Sequence, residues 1–356
     1  MNTRTPTLAA AALIIIICLL SAGCTTAEEK QTPKEDKPYL VIDTDPGTDD
    51  AIAFFLRETL IDTPCMIIGT AGNVPIDLIR ENLLLLSDYL DSTTKIAFGA
   101  STRLNGDPIY YDGFCGEDGL GNQSDSFIQY SQKKHNLTKE EIENHYNQMV
   151  TPYDNIDEIA EELMQHNHIT YVLLSPSTTL ATLLMKYPQL KEKIDKVYIM
   201  GGGFSITNAP HNAEFNMAGD PQADKIVFSS GLDITLLPLD VTMSYVITEE
   251  QLKVLEETGK YPEIMGILNY GLQASKATGE SDGFQLHDPI ALLCALSPAD
   301  FTFKDTKISI DEYGATKDLG PDAQEGYPIH LATSMVPNTL YKGFLKAFEI
   351  EGVNKA

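Results

Sequence analysis

The sequence has few cationic side chains. Its 25 Lys and Arg residues stand against 51 Asp and Glu residues, which gives a formal net charge of −26 over 356 residues. Nucleic-acid binding depends on cationic side chains that neutralise phosphates. The composition therefore argues against nucleic acid as a partner, and we expect much of the acidic charge to form a solvated surface.

Cysteine is also scarce, and the five positions suggest no pairing. Cys18 and Cys24 lie in the first 24 residues, which leaves Cys65, Cys115 and Cys294 in the rest of the chain. Three is an odd number, so no disulfide framework is implied. The apolar neighbours of Cys65 and Cys294 predict that both are core residues.

Long hydrophobic runs are lacking as well. The run Ala9–Leu20 is shorter than the ~20 residues that a transmembrane helix needs. It leads into Leu20-Ser21-Ala22-Gly23-Cys24, which resembles a bacterial lipobox. We interpret residues 1–23 as a lipoprotein signal peptide, with cleavage before Cys24 and lipid attached to the Cys24 thiol. An uncleaved N-terminal anchor is the alternative.

The stretch after this signal is polar, charged and free of large apolar side chains. Residues 24–38 are therefore predicted to be a disordered tether, and residues 39–356 to form a single folded domain. Together these segments predict an exported bacterial lipoprotein. Its lipid alone would anchor it to the membrane, at the cell surface or in the periplasm.

An unusually acidic turn opens the folded part. Four β-favouring residues, Tyr39–Ile42, lead into Asp43, Asp45, Asp49 and Asp50, and an amphipathic segment follows. This pattern predicts a strand, a tight turn and the start of a helix. Because like charges at this density repel, a bound Ca²⁺ or Mg²⁺ is the simplest remedy. A solvated turn in which one carboxylate caps the helix is the alternative.

Three motif interpretations compete for this turn. A calcium-binding EF-hand loop needs Gly at its sixth position, where this chain has Thr48. A phosphatase of the haloacid dehalogenase type would use Asp43 as nucleophile and Asp45 as acid, with Asp220 and Asp224 on Mg²⁺. The third is closest, because residues 43–51 resemble the signature Asp-x-Asp-Pro-Gly-x-Asp-Asp-Ala of the inosine-uridine preferring nucleoside hydrolases, with every fixed position present.

The remaining chain alternates apolar strand patterns with amphipathic helices, which predicts parallel βαβ units. We predict the α/β class, with an open, mostly parallel Rossmann-like sheet, helices on both faces and a single domain. Such sheets bind ligands at the carboxyl ends of their strands. The predicted strands span 39–42, 65–70, 96–99, 171–174, 196–200, 234–239 and 307–311.

Residues 122–155 interrupt this alternation with a polar composition. We interpret them as an insertion that contains a helix over 138–149, in which Thr138 and Glu141 form a capping box. Long connections of this kind sometimes serve as lids, so a lid and a structural excursion are both open.

Other segments extend the resemblance to about residues 38–300. Ala213-Glu214-Phe215-Asn216 and His287-Asp288-Pro289 match family motifs well, whereas the Asn73 turn and Ser175–Leu180 match more weakly. The family usually carries His where this chain has Cys115.

The resemblance implies calcium-dependent hydrolysis of the N-glycosidic bond of ribonucleosides, which releases free base and ribose for purine or pyrimidine salvage. It implies Ca²⁺ ligands at Asp45, Asp50, Asp288 and the Thr178 carbonyl, with Asp45 accepting a proton from water and His287 protonating or contacting the base. The residues implied to bind the nucleoside are Asp49, Asn73, Met200, Asn208, Glu214 and Asn216.

Two other functions stay open at this stage. One is the phosphatase, and the other is a surface lipoprotein that binds nucleosides or sugars without cleaving them. The resemblance also implies a homo-oligomer, either a dimer or a tetramer. It leaves the choice between purine and pyrimidine open, because variable loops build the base pocket.

Overall fold

The computed structural model describes residues 38–109, 113–149, 153, 155–279 and 281–351. The predicted signal peptide, the predicted lipidation site Cys24 and nearly all of the predicted tether lie outside these residues. The described residues form one compact unit. None of the helices in the described residues is both long enough and apolar enough to cross a membrane.

The elements alternate as the sequence predicts. The strands in the described residues are β1 (Tyr39–Thr44), β2 (Cys65–Gly69), β3 (Lys95–Phe98), β4 (Ile169–Leu173), β5 (Ile194–Met200), β6 (Ile234–Leu237), β7 (Val246–Thr248), β8 (Gly283–Gln285), β9 (Phe301–Ile310), β10 (Thr316–Asp318) and β11 (Tyr327–Met335). The helices are α1 (Thr48–Leu60), α2 (Ile76–Tyr89), α3 (Ser124–His135), α4 (Lys139–Met149), α5 (Ile156–Leu163), α6 (Thr178–Lys186), α7 (Phe215–Gly219), α8 (Pro221–Phe228), α9 (Leu239–Thr242), α10 (Glu249–Glu256), α11 (Pro262–Thr278), α12 (His287–Leu296) and α13 (Thr339–Ala347).

Nine of the described strands form one sheet in the order β10-β9-β11-β6-β5-β4-β1-β2-β3. Strands β1 to β6 and β11 run parallel, whereas β9 and β10 pair antiparallel at one edge. This confirms the predicted mostly parallel α/β sheet. A separate ribbon pairs β7 with β8.

Both faces of the sheet are covered, because successive side chains of a strand point to opposite sides. Leu40 and Ile42 of β1 belong to one apolar cluster, and Val41 belongs to the other. A strand buried on both faces is apolar throughout, which is why the sequence of β1 shows a continuous run instead of an alternation.

The order of β1 to β6 contains a topological switch point. The chain moves outward from β1 to β3 on one side and from β4 to β6 on the other, so the crossover connections diverge between β1 and β4. Open α/β sheets bind ligands in the crevice outside the strand ends at such a point. The acidic turn follows β1 directly and therefore lies at this crevice.

The sequence predictions are less accurate in two regions. The short strand predicted at 307–311 belongs to the ten-residue β9, and β7, β8, β10 and β11 were not predicted. Residues 122–155 contain α3 in addition to the predicted α4, and both contact α2. Thr138 and Glu141 do interact at the start of α4, with the Thr138 amide and hydroxyl both 2.8 Å from the Glu141 carboxylate.

Candidate active site

Asp43 lies beneath the acidic turn and is completely buried. Its carboxylate accepts hydrogen bonds from the hydroxyls of Thr70 (2.5 Å), Ser175 (2.9 Å) and Tyr171 (2.7 Å). Burial raises the pKa of Asp43 to about 6, although the three hydroxyls oppose that rise. This carboxylate ties β1 to β4 and to the turn after β2, so it supports the site from below.

Asp45 and Asp50 form the next layer. The main-chain N–H of Asn73 donates to Asp45 Oδ2 over 2.7 Å, and the side-chain amide of Asn73 donates to Asp50 Oδ2 over 3.0 Å. Asp50 also accepts from Thr44 Oγ1 (2.5 Å) and from the Gly47 N–H (3.1 Å) at the start of α1. The predicted helix cap and the predicted metal ligand are therefore the same carboxylate.

Acidic residues that are distant in the sequence lie close together at this site. Asp49, Asp50 and Asp288 each bring a carboxylate oxygen within 4.8 Å of the other two. The Asp288 N–H donates to Asp49 Oδ2 over 3.3 Å. Asp288 lies in the first turn of α12, which begins at His287 after the N-cap Leu286.

The surroundings of these acids disfavour their charged forms. Burial, with the Asp50 charge adding to it, raises the pKa of Asp45 well above its usual range. Burial and then the neighbouring Asp49 and Asp50 do the same for Asp288, while the pKa values of Asp49 and Asp50 both rise to about 6. Asp45 Oδ1 is buried without a hydrogen-bond partner. A hard divalent cation would relieve both the repulsion and the unsatisfied oxygen, so this donor set fits such an ion.

Gly72 shows how closely the backbone encloses this cluster. A Cβ atom at position 72 would lie 1.9 Å from Asp45 Oδ2, which no side chain tolerates. The turn after β2 therefore needs glycine in order to pass beside the carboxylate.

A cavity of about 290 Å³ opens above the acids. This volume approaches the lower end of the usual range for small-molecule sites, about 300–1,000 Å³. Its lining combines polar and apolar side chains. It is lined by Asp49, Asn73, Phe114, Cys115, Leu174, Met200, Ile206, Thr207, Asn208, Glu214, Phe215, Asn216, Leu239, Met243, Phe284, Gln285, His287 and Asp288.

The polar wall is organised around Glu214. Its buried carboxylate accepts backbone N–H groups from Asn216 (2.9 Å), Met217 (3.1 Å) and Gly202 (3.1 Å), and burial still raises its pKa to about 7. The Asn216 amide group donates to the carbonyl of Leu174 over 2.9 Å and to that of Met200 over 3.3 Å. The side chain thus links the ends of β4 and β5.

Asn208 is placed on the same wall by a backbone contact, because its Oδ1 accepts the Phe215 N–H over 2.9 Å. His287 also lines the cavity, and its Nδ1 lies 2.8 Å from Thr242 Oγ1. Burial lowers the pKa of His287 to about 4, so the imidazole is neutral near neutral pH.

Cys115 occupies the position where the family resemblance leads one to expect His. Its buried sulfur lies 3.5 Å from the Thr48 backbone nitrogen and 3.7 Å from Thr48 Oγ1. Burial raises the pKa of the thiol, which stays protonated. Beside Phe114, Cys115 therefore adds a small, weakly polar surface to the cavity.

Thr178 is the predicted ligand that the structure does not bring to this cluster. It begins α6, its carbonyl accepts the Thr182 hydroxyl over 2.8 Å, and its own hydroxyl donates to Asp220. The residue of the same turn that lines the cavity is Leu174, which follows β4 directly. The rule that ligands bind at the carboxyl ends of strands could have identified Leu174 from the sequence.

The other predicted residues divide into two groups. Asp49, Asn73, Met200, Asn208, Glu214, Asn216, His287 and Asp288 line the cavity, while Asp45 and Asp50 lie beneath it and contact it through Asn73. The sequence had not singled out Gln285, Met243, Ile206 or Thr207. Gln285 could have been a candidate from the sequence, because it lies two residues before the His287-Asp288 motif.

A sheet of this order, with an acidic floor at its switch point, can be compared with known proteins. The profile of the family described as inosine-uridine preferring nucleoside hydrolase matches residues 40–335. The chain belongs to this family. The match confirms the family resemblance and the predicted enzyme class, hydrolysis of glycosidic bonds in ribonucleosides.

Relatives in the nucleoside hydrolase family span nearly the whole described domain. The non-specific ribonucleoside hydrolase RihC of Shigella flexneri is 27% identical over 311 residues, which cover 86% of this chain and 95% of that protein. Its counterpart from Salmonella schwarzengrund is 30% identical over 280 residues, covering 78% and 84%.

Solved structures show the same fold. A plant nucleoside hydrolase, PpNRh1, aligns with a TM-score of 0.73 at 24% identity and covers 87% of this chain and 98% of its own. The purine-preferring ribonucleoside hydrolase from Gardnerella vaginalis aligns with the same TM-score at 23% identity and the same coverage.

The family match and the geometry both disfavour the phosphatase. Asp43, its required nucleophile, is completely buried and accepts three hydroxyl hydrogen bonds. Asp220 accepts from Thr178, and Asp224 accepts from Ser177 over 2.6 Å, so both of its predicted Mg²⁺ ligands are engaged in structural contacts.

Proposed function

We propose that this nucleoside hydrolase cleaves the N-glycosidic bond of ribonucleosides with the help of a bound Ca²⁺. The observation that carries the proposal is the group of the Asp49, Asp50 and Asp288 carboxylates, with the unpartnered Asp45 Oδ1 beside it among the described residues, at the floor of a cavity of about 290 Å³. Oxygen donors without Cys or His select hard cations.

The ion would be held by Asp45, Asp50 and Asp288. We replace the Thr178 carbonyl with that of Leu174, because Leu174 lines the cavity and Thr178 does not. A carbonyl oxygen has two lone pairs, so its bond to Asn216 leaves one for a cation. When bound, Ca²⁺ supplies charge that lowers the pKa of water and orients the sugar.

The residues around the cluster have separate tasks. Asp45 accepts the proton of the attacking water, because its Oδ1 makes no hydrogen bond in the described residues and has lone pairs for both the ion and this proton. Asp49, Asn73, Asn208, Glu214 and Asn216 bind the ribose hydroxyls. The resulting anionic surroundings stabilise the oxocarbenium-like charge that develops as the bond to the base breaks.

The base would contact the apolar side chains that line the cavity. Phe114, Phe215, Phe284 and Met243 offer aromatic and apolar contact there. His287 contacts the base as a neutral imidazole held by Thr242. Cys115 adds no acid of useful strength, so we assign it a role in shaping the pocket.

The proposal is tested by assaying ribose released from a panel of ribonucleosides, with and without a calcium chelator. Asp45→Asn should lower kcat by about 10²–10⁴-fold, the usual contribution of a general base. The matched control is Asp195→Asn, since Asp195 is exposed and pairs only with His168 among the contacts described. Activity that survives both chelation and Asp45→Asn would refute the mechanism. Calcium-dependent binding of inosine without hydrolysis would favour a non-catalytic binding protein.

We also propose that the protein is an exported lipoprotein, which the sequence Leu20–Cys24 supports. Mass spectrometry of the membrane fraction should find a lipid on an N-terminal Cys24. Cys24→Ala should shift the protein out of that fraction, and an unmodified N-terminus in the wild type would refute the proposal. We further propose a homo-oligomer, either a dimer or a tetramer, and light scattering on the purified protein would measure its mass.

A further inference from the structure

A second group of potential ligands lies outside the active site, where α2, α3 and α4 meet. Asp88 stands near the end of α2, His135 ends α3 and His145 lies within α4. A carboxylate oxygen of Asp88 and one ring nitrogen from each histidine all lie within 4.8 Å of one another.

The geometry converges on one carboxylate oxygen. His135 Nε2 lies 2.7 Å and His145 Nε2 lies 3.9 Å from Asp88 Oδ1, and the two imidazole centres are 4.0 Å apart. His145 Nε2 is buried and has no hydrogen-bond partner among the described residues. Buried polar nitrogens normally have a partner, so this one calls for an explanation.

We propose that Asp88, His135 and His145 bind a zinc ion that joins α3 and α4 to α2. Two imidazoles and one carboxylate are a zinc-type donor set, unlike the oxygen-only active site. Solvent lies beside the cluster, because the side chains of His135 and His145 are 26% and 24% exposed, although His145 Nε2 itself is buried. A water can therefore complete a tetrahedral site.

The lysine beside the cluster is compatible with a cation there. Lys134 Nζ lies 3.3 Å from Asp88 Oδ1, but it also contacts the Asp88 main-chain carbonyl and lies 2.8 Å from Asp91 Oδ1. Lys134 keeps those two acceptors when Asp88 Oδ1 binds a metal. Asp88 Oδ2 keeps the Ser131 hydroxyl, which fixes the orientation of the carboxylate.

The position of the cluster gives such an ion a structural task. The only buried residues of α3 are Phe127 and Ser131, so this helix contributes little to the hydrophobic core. Small elements that bury little apolar surface are often stabilised by metals. None of the described residues of 122–155 lines the active-site cavity, which separates this role from hydrolysis.

The test is a titration of the purified protein with Zn²⁺ while excess Ca²⁺ occupies the acidic site. Calorimetry should find one zinc per chain. Replacing a ligand should cost at least as much as losing an outer partner, so His145→Gln and His135→Gln should each weaken zinc binding by about 10–100-fold or more. Because His145 Nε2 makes no hydrogen bond, His145→Gln should still fold.

His168→Gln is the matched control, since His168 forms a His–Asp pair of 2.9 Å with Asp195 on the surface. It should leave zinc affinity unchanged. Zinc should raise the Tm of the wild type but not that of His145→Gln, and ribonucleoside hydrolysis should be equal in both. Equal zinc affinity in the wild type and both ligand variants would overturn the proposal. So would complete displacement of zinc by Ca²⁺, which would place the zinc among the active-site acids.

Discussion

The two ligand clusters solve the problem of buried charge in opposite ways. At the active site, burial and mutual repulsion raise the pKa values of Asp45 and Asp288 well above their usual range. Burial also acts on Asp88, but hydrogen bonds from Ser131 and His135 and the Lys134 charge outweigh it and lower the pKa of Asp88. The first cluster therefore carries charge that an added cation or bound protons would balance, whereas the second already has cationic and donor groups around it.

Replacing Gly72 should break the first cluster most severely. In Gly72→Ala the new methyl group would displace the Asp45 carboxylate, and a misplacement of about 1 Å can cost about 100-fold in rate. We expect kcat/KM to fall by at least about 100-fold. Gly343→Ala is the control, because the nearest atoms to its Cβ are at an ordinary 3.7 Å. Near-normal hydrolysis by Gly72→Ala would show that the acids are not rigidly held.

The raised pKa values predict how pH acts on the calcium-free protein. The pKa of Glu214 rises from 4.5 to about 7, so the folded state binds more protons than the unfolded state between those values, and stability falls as pH rises through this window. Glu214→Gln should remove up to about 3 kcal/mol of that fall. Urea unfolding between pH 4.5 and 7.5 measures it, and an unchanged pH dependence in the variant would contradict the prediction.

Tyr171→Phe sharpens the comparison by weakening the support beneath the active site alone. It removes the 2.7 Å hydrogen bond to the buried Asp43 carboxylate, and hydrogen bonds to charged groups are worth about 1.5–3 kcal/mol. The free energy of unfolding should fall by about 2 kcal/mol, together with calcium affinity. Zinc affinity should not change. Tyr313→Phe, at an exposed ring, is the control substitution and should leave all three quantities unchanged.

The smallest effect is expected at the start of α4. Thr138→Ala removes an exposed hydroxyl that contacts Glu141, and such N-terminal substitutions cost about 0.5–2 kcal/mol, with the low end fitting an exposed site. Thermal unfolding should show a small loss of stability, and hydrolysis should stay at the wild-type rate. A large loss of hydrolysis would revive the idea that residues 122–155 act as a lid.

The sequence was most informative where its signal is local. The strand β1, the acidic turn and the start of α1 follow one another within about 20 residues, and their periodicity and turn residues identify them. The helix α3 was missed because its sequence is largely polar, with Phe127 the one fully buried apolar residue of this helix and Ile128 and Tyr130 only partly buried. The strand β11 was missed because exposed residues and Pro328 interrupt its apolar pattern.

The site required information that periodicity does not hold. Nothing local in His287-Asp288 connects it to Asp49, and only the family resemblance brought the two together before the structure did. Thr178 was misplaced for a different reason, since a backbone carbonyl has no sequence signature. The switch point between β1 and β4 explains why Leu174 lines the cavity in its place.

The contact between Asp49 and Asp288 also sets a time for the site to assemble during synthesis. The two residues are 239 positions apart in the chain. At a translation rate of about 5–20 residues per second, roughly ten to fifty seconds separate their emergence from the ribosome. Throughout that interval the acidic turn lacks its partner on α12. The nascent chain thus stays without the complete acidic cluster until α12 has been made.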